Sequence, residues 1–244
     1  MLIPALLLAA VLGLLVWFTR KDVAEYERFK VLTRTEDRQR AFRRWVASSF
    51  PMFWGTSIVI LLLIGRIGAV LRLPPEFVSL SPHLAARFDA GAVPFAVGGI
   101  ATGAIVGGVL GAMLMRKRKG KPKVLGNIEP LFPRNADERR WTALLGVNAA
   151  VGEELFFRLM LPLLIALVTG SAIVAVVAAC LIFGAVHFYQ GWVGILATTF
   201  LGFFFAALYV ASGMLWVAML LHAIVNLNSL WLRPLLVERA SRKA

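Results

Sequence analysis

Cysteine is nearly absent from this chain. Cys180 is the only one in 244 residues, and it lies inside an apolar run. No intramolecular disulfide and no cysteine zinc cluster can form, so cysteine usage says little about redox compartment. With no basic neighbour and no polar setting, Cys180 reads as a packing residue rather than a nucleophile. Charge is scarce as well: Asp, Glu, Lys and Arg make up 16% of the chain, against about 25% in an average soluble protein. Acid is the scarcer sign, with 13 Asp and Glu against 26 Lys and Arg. No Gly-rich phosphate loop follows a strand, no GxSxG elbow occurs, and HExxH is missing. Those absences speak against a P-loop nucleotidase, an elbow-type serine hydrolase and a helical zinc protease of the HExxH kind. There is no internal repeat, and low complexity is confined to one short basic run.

What fills the chain is apolar. Hydrophobic residues are 59% of it, and the mean hydropathy is +0.79. Apolar runs long enough to span a bilayer fall at 2–18, 48–70, 92–115, 141–168, 171–189, 192–211 and 214–231. The expected fold is an all-α polytopic transmembrane bundle of seven spans, give or take one, forming a single integral membrane domain over 1–244. The opening run resembles a signal peptide in length. Its basic residues, Arg20 and Lys21, follow the apolar stretch instead of preceding it, so an uncleaved first span is expected. Gly-rich 97–113 suits close helix packing through small residues.

The formal net charge of +13 invites a nucleic-acid reading. The basic residues, however, crowd between the apolar runs at 19–47, 116–140 and 233–243, where cytoplasmic loops carry them. Nucleic acid is therefore not expected as a partner; the lipid bilayer is. With seven spans the three basic segments share one side, which puts the N-terminus outside and the C-terminus in the cytoplasm, in the plasma membrane. The segment 19–47 is expected as a solvated or interfacial helix. Asn135 followed by Glu138 has capping-box spacing, so a helix should begin there. His83, in the sparsely charged connection 71–91, reads as an ordinary exposed histidine.

Residues 151–160, VGEELFFRLM, place Glu153, Glu154 and Arg158 in apolar surroundings. Each charge near a bilayer midplane costs roughly 2.5–3.5 kcal/mol on insertion scales. Residues four apart on a helix lie nearly in line, so Glu154 and Arg158 can pair. Glu153 points about 100° away and meets only Phe156 and Phe157 at the corresponding spacings. One glutamate is thus neutralised while the other is left available for general acid/base work. Two later runs carry further polar groups: His187, one turn after Phe183, and His222 with Asn226, four apart on one face. Singly, each fits an interhelical hydrogen bond. Together they are the kinds of group that activate water and bind an oxyanion.

EELFFR fits EExxxR, FGAVH fits FxxxH and HAIVN fits HxxxN, in that order on successive apolar segments. The set resembles the CPBP family, which comprises type II CAAX prenyl endopeptidases and bacteriocin-processing or immunity-type membrane proteins. The resemblance covers about 141–230 and leaves 1–140 as family-variable spans and basic loops. It implies a metal-independent, glutamate-type intramembrane endopeptidase with no cofactor and a cavity opening toward cytoplasm and bilayer. It further implies that Glu153 and His187 activate water and that His222 and Asn226 stabilise the oxyanion, with Glu154, Arg158 and Phe183 in support. The substrate implied is a peptide or protein, with or without a prenyl group. Leu159 departs from the pattern, since many relatives carry Gly there. Two other readings stay open: a zinc site built from Glu153, His187 and His222, and a non-proteolytic scaffold or transporter on the same fold.

Overall fold

A computed structural model describes residues 2–80, 98, 99, 102, 126–232 and 235, and among them there is no strand. Helix α1 spans Leu2–Lys30, and its buried residues Val11, Leu15, Phe18, Tyr26 and Phe29 recur at helical spacing. Helix α2 spans Thr35–Leu63. It passes through a π-helical stretch, Phe50–Gly55, that carries Pro51. The charged segment 19–47 is therefore not a separate helix: its first part extends α1 and its second part opens α2. The opening of α2 is amphipathic, burying Arg38, Ala41, Phe42 and Trp45 on one face.

Helix α3 runs over 136–169 as Ala136–Glu154, a π turn Leu155–Met160, and Leu161–Thr169. It begins where the capping pattern predicts. The Glu138 N–H donates to the Asn135 side-chain oxygen at 2.9 Å. The Glu138 carboxylate departs from the capping box, though. It accepts from the Arg134 N–H and from Arg38 Nε, both at 3.0 Å, instead of from Asn135. Helix α4 is Ala172–Val186, α5 is Gly191–Ser212, and α6 is Leu215–Leu227 continued by a π turn, Asn228–Leu232. Gly170 and Gly213 end α3 and α5 at φ 70° and 67°, a left-handed conformation that favours glycine.

Six of the seven apolar runs are thus α1–α6 with shifted ends; the run 92–115 lies almost wholly outside the described residues. The run 48–70 stops being α-helical at Leu63, where the chain turns through Gly65 at φ 69°. Among the described residues, four helices are long and apolar enough to cross a membrane: Leu2–Lys30, Thr35–Leu63, Phe188–Ser212 and Leu215–Leu232. Helix α4 is shorter, and the apolar half of α3 is interrupted by its three charges. The protein is an all-α integral membrane helical bundle.

Burial along α3 explains how those charges are tolerated. From Glu154 to Ala166 every residue is buried, so the helix shows no lipid-facing side there. A helix apolar around its whole circumference belongs at the centre of a bundle. It packs against α1, α2, α4 and α6 within one core that includes Phe156, Phe157, Leu161 and Leu164. A second cluster, Tyr26, Phe29, Ala41, Phe42 and Trp45, gathers at the charged ends of α1 and α2. Arg134 donates to the carbonyls of Leu32 and Thr33 at 3.0 and 3.3 Å, which puts the start of α3 beside the α1–α2 turn.

Candidate active site

Glu153 and Glu154 sit at the end of the regular α-helical part of α3, just before its π turn. Glu154 is fully buried and turned toward α6. Its Oε1 accepts from His222 Nδ1–H at 2.7 Å, and its Oε2 lies 3.0 Å from Arg158 Nε. The Arg158 contact is an ion pair off the line a hydrogen bond needs, since none of the three guanidinium nitrogens has a hydrogen-bond partner among the described residues. The guanidinium rests instead on aromatic faces, 4.1 Å from the Phe183 ring centre and 5.6 Å from that of Phe205. Glu153 points elsewhere, into a cavity of about 630 Å³.

His187 terminates α4. Its Nδ1 lies 2.7 Å from the Phe183 carbonyl, which can only accept, so Nδ1–H donates. The bond satisfies one of the carbonyls that a helix C-terminus leaves unpaired, and it leaves Nε2 with a free lone pair. The four-residue spacing of Phe183 and His187 thereby fixes both tautomer and ring orientation. The Phe183 and His187 rings also meet edge to face at 4.7 Å.

On α6, His222 stacks on Phe205 at 4.9 Å and 21°. Its Nε2 lies 4.0 Å from Glu153 Oε2. One turn later, Asn226 Nδ2 donates to the Gly146 carbonyl of α3 at 3.0 Å. An added Cβ at Gly146 would sit 3.3 Å from Asn226 Cβ, so glycine allows this close approach.

Glu153, His187, His222 and Asn226 all line the cavity, whereas Glu154 and Arg158 stand behind it. Phe183 lines it too, and Leu159 is fully buried in the core. Cys180 is buried, as its setting suggested. His83 lies outside the described residues. Among the described residues, no three His, Cys, Asp or Glu side chains are grouped to hold a metal ion.

The sequence reading did not foresee the rest of the wall. Leu15, Phe18, Asp22 and Tyr26 of α1 form one side. Ile128 and Leu131 belong to a strap over 126–132. The strap is tied by the Asn127 N–H to the Gln190 carbonyl at 2.8 Å, by the Tyr26 hydroxyl to the Asn127 carbonyl, and by Arg38 to the carbonyls of Pro130 and Phe132. A helical-spacing signal for Asp22 existed, since it falls on the stripe of Leu15 and Phe18. No local pattern marks Gly146 as the acceptor for Asn226.

No curated protein and no solved structure matches the chain. A family model does: residues 137–228 match the type II CAAX prenyl endopeptidase Rce1-like description. The matched segment opens in the first turn of α3, closes just after Asn226, and leaves α1 and α2 outside it. Over residues 137–228 the chain therefore carries an Rce1-like domain, in agreement with the CPBP resemblance of its three motifs.

Proposed function

We propose that the protein is a metal-independent intramembrane endopeptidase in which Glu153 and His187 activate a water and His222 and Asn226 stabilise the oxyanion. The observation that carries this reading is the convergence of those four side chains, from three helices, on one cavity wall. Glu153 removes a proton from the water, with His187 Nε2 as a second acceptor. The water oxygen bonds to the scissile carbonyl carbon, and the carbonyl oxygen becomes an oxyanion. On collapse the C–N bond breaks, and the proton held by Glu153 passes to the leaving amine. Asn226 has a second N–H beyond the one given to Gly146. His222 gives Nδ1–H to Glu154, so it can donate from Nε2 only as the doubly protonated ring. Loss of one oxyanion donor typically costs about 100–1,000-fold in rate.

Glu154 supports this chemistry from behind by orienting His222 and neutralising Arg158. Metal-free hydrolysis is supported by Asn226, which stands one turn from His222 and is a poor metal ligand but a good oxyanion donor. The apolar wall of Leu15, Phe18, Phe53 and Leu201 suits a membrane-embedded peptide, prenylated or not. The Arg and Lys bias supports a cytoplasmic C-terminus, and the plasma membrane is the location we propose.

The test compares the membrane proteome of cells carrying the native protein with that of cells carrying Glu153→Gln. Peptides that accumulate uncut only in the variant identify the substrate, and purified protein in liposomes should then cleave it. Cleavage should survive exhaustive chelation. Activity lost on chelation and restored by zinc would replace the mechanism, and an identical proteome would remove the proteolytic reading.

A further inference from the structure

Helix α1 lies outside the matched segment, yet it supplies a long side of the cavity through Leu15, Phe18, Thr19, Asp22 and Tyr26. These residues form one helical stripe, apolar at first and polar in its last turns. Asp22 is the only charge on it. Nearby groups are engaged elsewhere: Lys21 lies 3.7 Å from Glu25, and the Tyr26 hydroxyl donates to the Asn127 carbonyl. Among the described residues Asp22 forms neither an ion pair nor a hydrogen bond.

The charge of the cavity runs against that of the molecule. The chain holds twice as many Lys and Arg as Asp and Glu, 26 against 13. The described wall nonetheless has two carboxylates, Asp22 and Glu153, and neither Lys nor Arg. Both carboxylates face the same cavity. Arg158 cannot offset them, because it is buried behind the wall against Glu154. In a half-apolar, confined space, like charges repel more strongly than in water. An acidic side chain would bring a third negative group, with neither lysine nor arginine on the described wall to receive it. A lysine or arginine side chain would meet a counter-charge, and its methylenes would lie along the apolar part of the α1 stripe.

We propose that Asp22 is a specificity-determining residue that receives a cationic side chain of the substrate, so that the protein selects basic peptide segments over acidic ones. The proposal rests on the proteolytic reading of the cavity, but its test uses binding and so stands apart from catalysis. Full-length protein in phosphatidylcholine nanodiscs is titrated with three fluorescent probes, with empty nanodiscs subtracted. The probes are N-decanoyl-Gly-Lys-Leu amide and its analogues with norleucine or glutamate in place of lysine. The lysine probe should bind about tenfold more tightly than the norleucine probe, as one charge-assisted contact allows, and the glutamate probe most weakly. Asp22→Asn should shrink the lysine advantage to under about twofold, and Asp22→Glu, which keeps the charge, should restore it. Equal binding of all three probes to the native protein, or a preference unchanged in Asp22→Asn, would overturn the proposal. Selective binding without any cleavage would remove the protease reading alone, and cleavage without selectivity would remove the Asp22 subsite alone.

Discussion

At the scale of single residues, two neighbouring glutamates are separated by one helical step and by their partners. Glu154 meets a cation and a histidine in the interior, while Glu153 meets the cavity. Glu153→Gln should abolish cleavage and leave the thermal unfolding midpoint nearly unchanged, because its side chain borders space. Glu154→Gln still offers His222 an acceptor but strips Arg158 of its counter-charge. Breaking a buried pair costs about 3–5 kcal/mol, so its unfolding midpoint should fall clearly. Full activity of Glu153→Gln on an identified substrate would remove it as the base. Asn226→Ala tests a residue with two attachments. Losing the bond to the Gly146 carbonyl should cost roughly 0.5–1.5 kcal/mol of stability. Turnover should fall by about 100-fold or more while KM changes little, since an oxyanion contact strengthens only in the transition state. A larger change in KM than in kcat would assign Asn226 to substrate binding instead.

At the scale of elements, helix contact sets where the site residues stand. Gly184 lies between the two residues of FxxxH, and an added Cβ there would come within 2.9 Å of Thr199 Cβ and 3.2 Å of the Ile195 carbonyl oxygen. Gly184→Ala should therefore push α4 from α5, costing about 1–3 kcal/mol as overpacking does, and shift His187 with it. Unchanged stability and activity in this variant would show that α4 adjusts freely. The same scale shows what the sequence could and could not reveal. The i, i+4 pairs Glu154–Arg158 and Phe183–His187 were legible because helical spacing alone brings such residues together. The Asn135 cap was legible because its partner is three residues away. His222–Glu154 and Arg38–Glu138, 68 and 100 residues apart, were not, because only the packing of whole helices joins them. The π stretches at 50–55 and 155–160 were equally hidden. They alter helical phase without a mark in composition, and the second starts directly after Glu154.

At the scale of the whole molecule, charge distribution and helix direction together make a topology that can be checked. The turn at 31–34 is flanked by the basic segment 19–47 and is bonded to Arg134, which belongs to the next basic segment. Helix α2 separates that turn from Gly65 and Gly68. Its 29 residues reach about 44 Å at 1.5 Å each, more than the roughly 30 Å of a hydrocarbon core. Val31 and Gly68 should therefore stand in opposite water layers. Met214 begins α6, two helix crossings on from the end of α3, and belongs with Gly68. Single cysteines at these sites suit a labelling test: Val31 and Met214 are exposed, and a Cβ at Gly68 meets nothing within 4 Å. The native Cys180 adds little background, being buried. By the positive-inside rule Val31 is expected in the cytoplasm. In intact cells a membrane-impermeant thiol reagent should then label Gly68→Cys and Met214→Cys but spare Val31→Cys until the cells are opened. The reverse pattern would invert the orientation while keeping the fold. Labelling of Val31→Cys and Gly68→Cys alike would mean that α2 does not cross, and the buried charges of α3 would then need a different shelter.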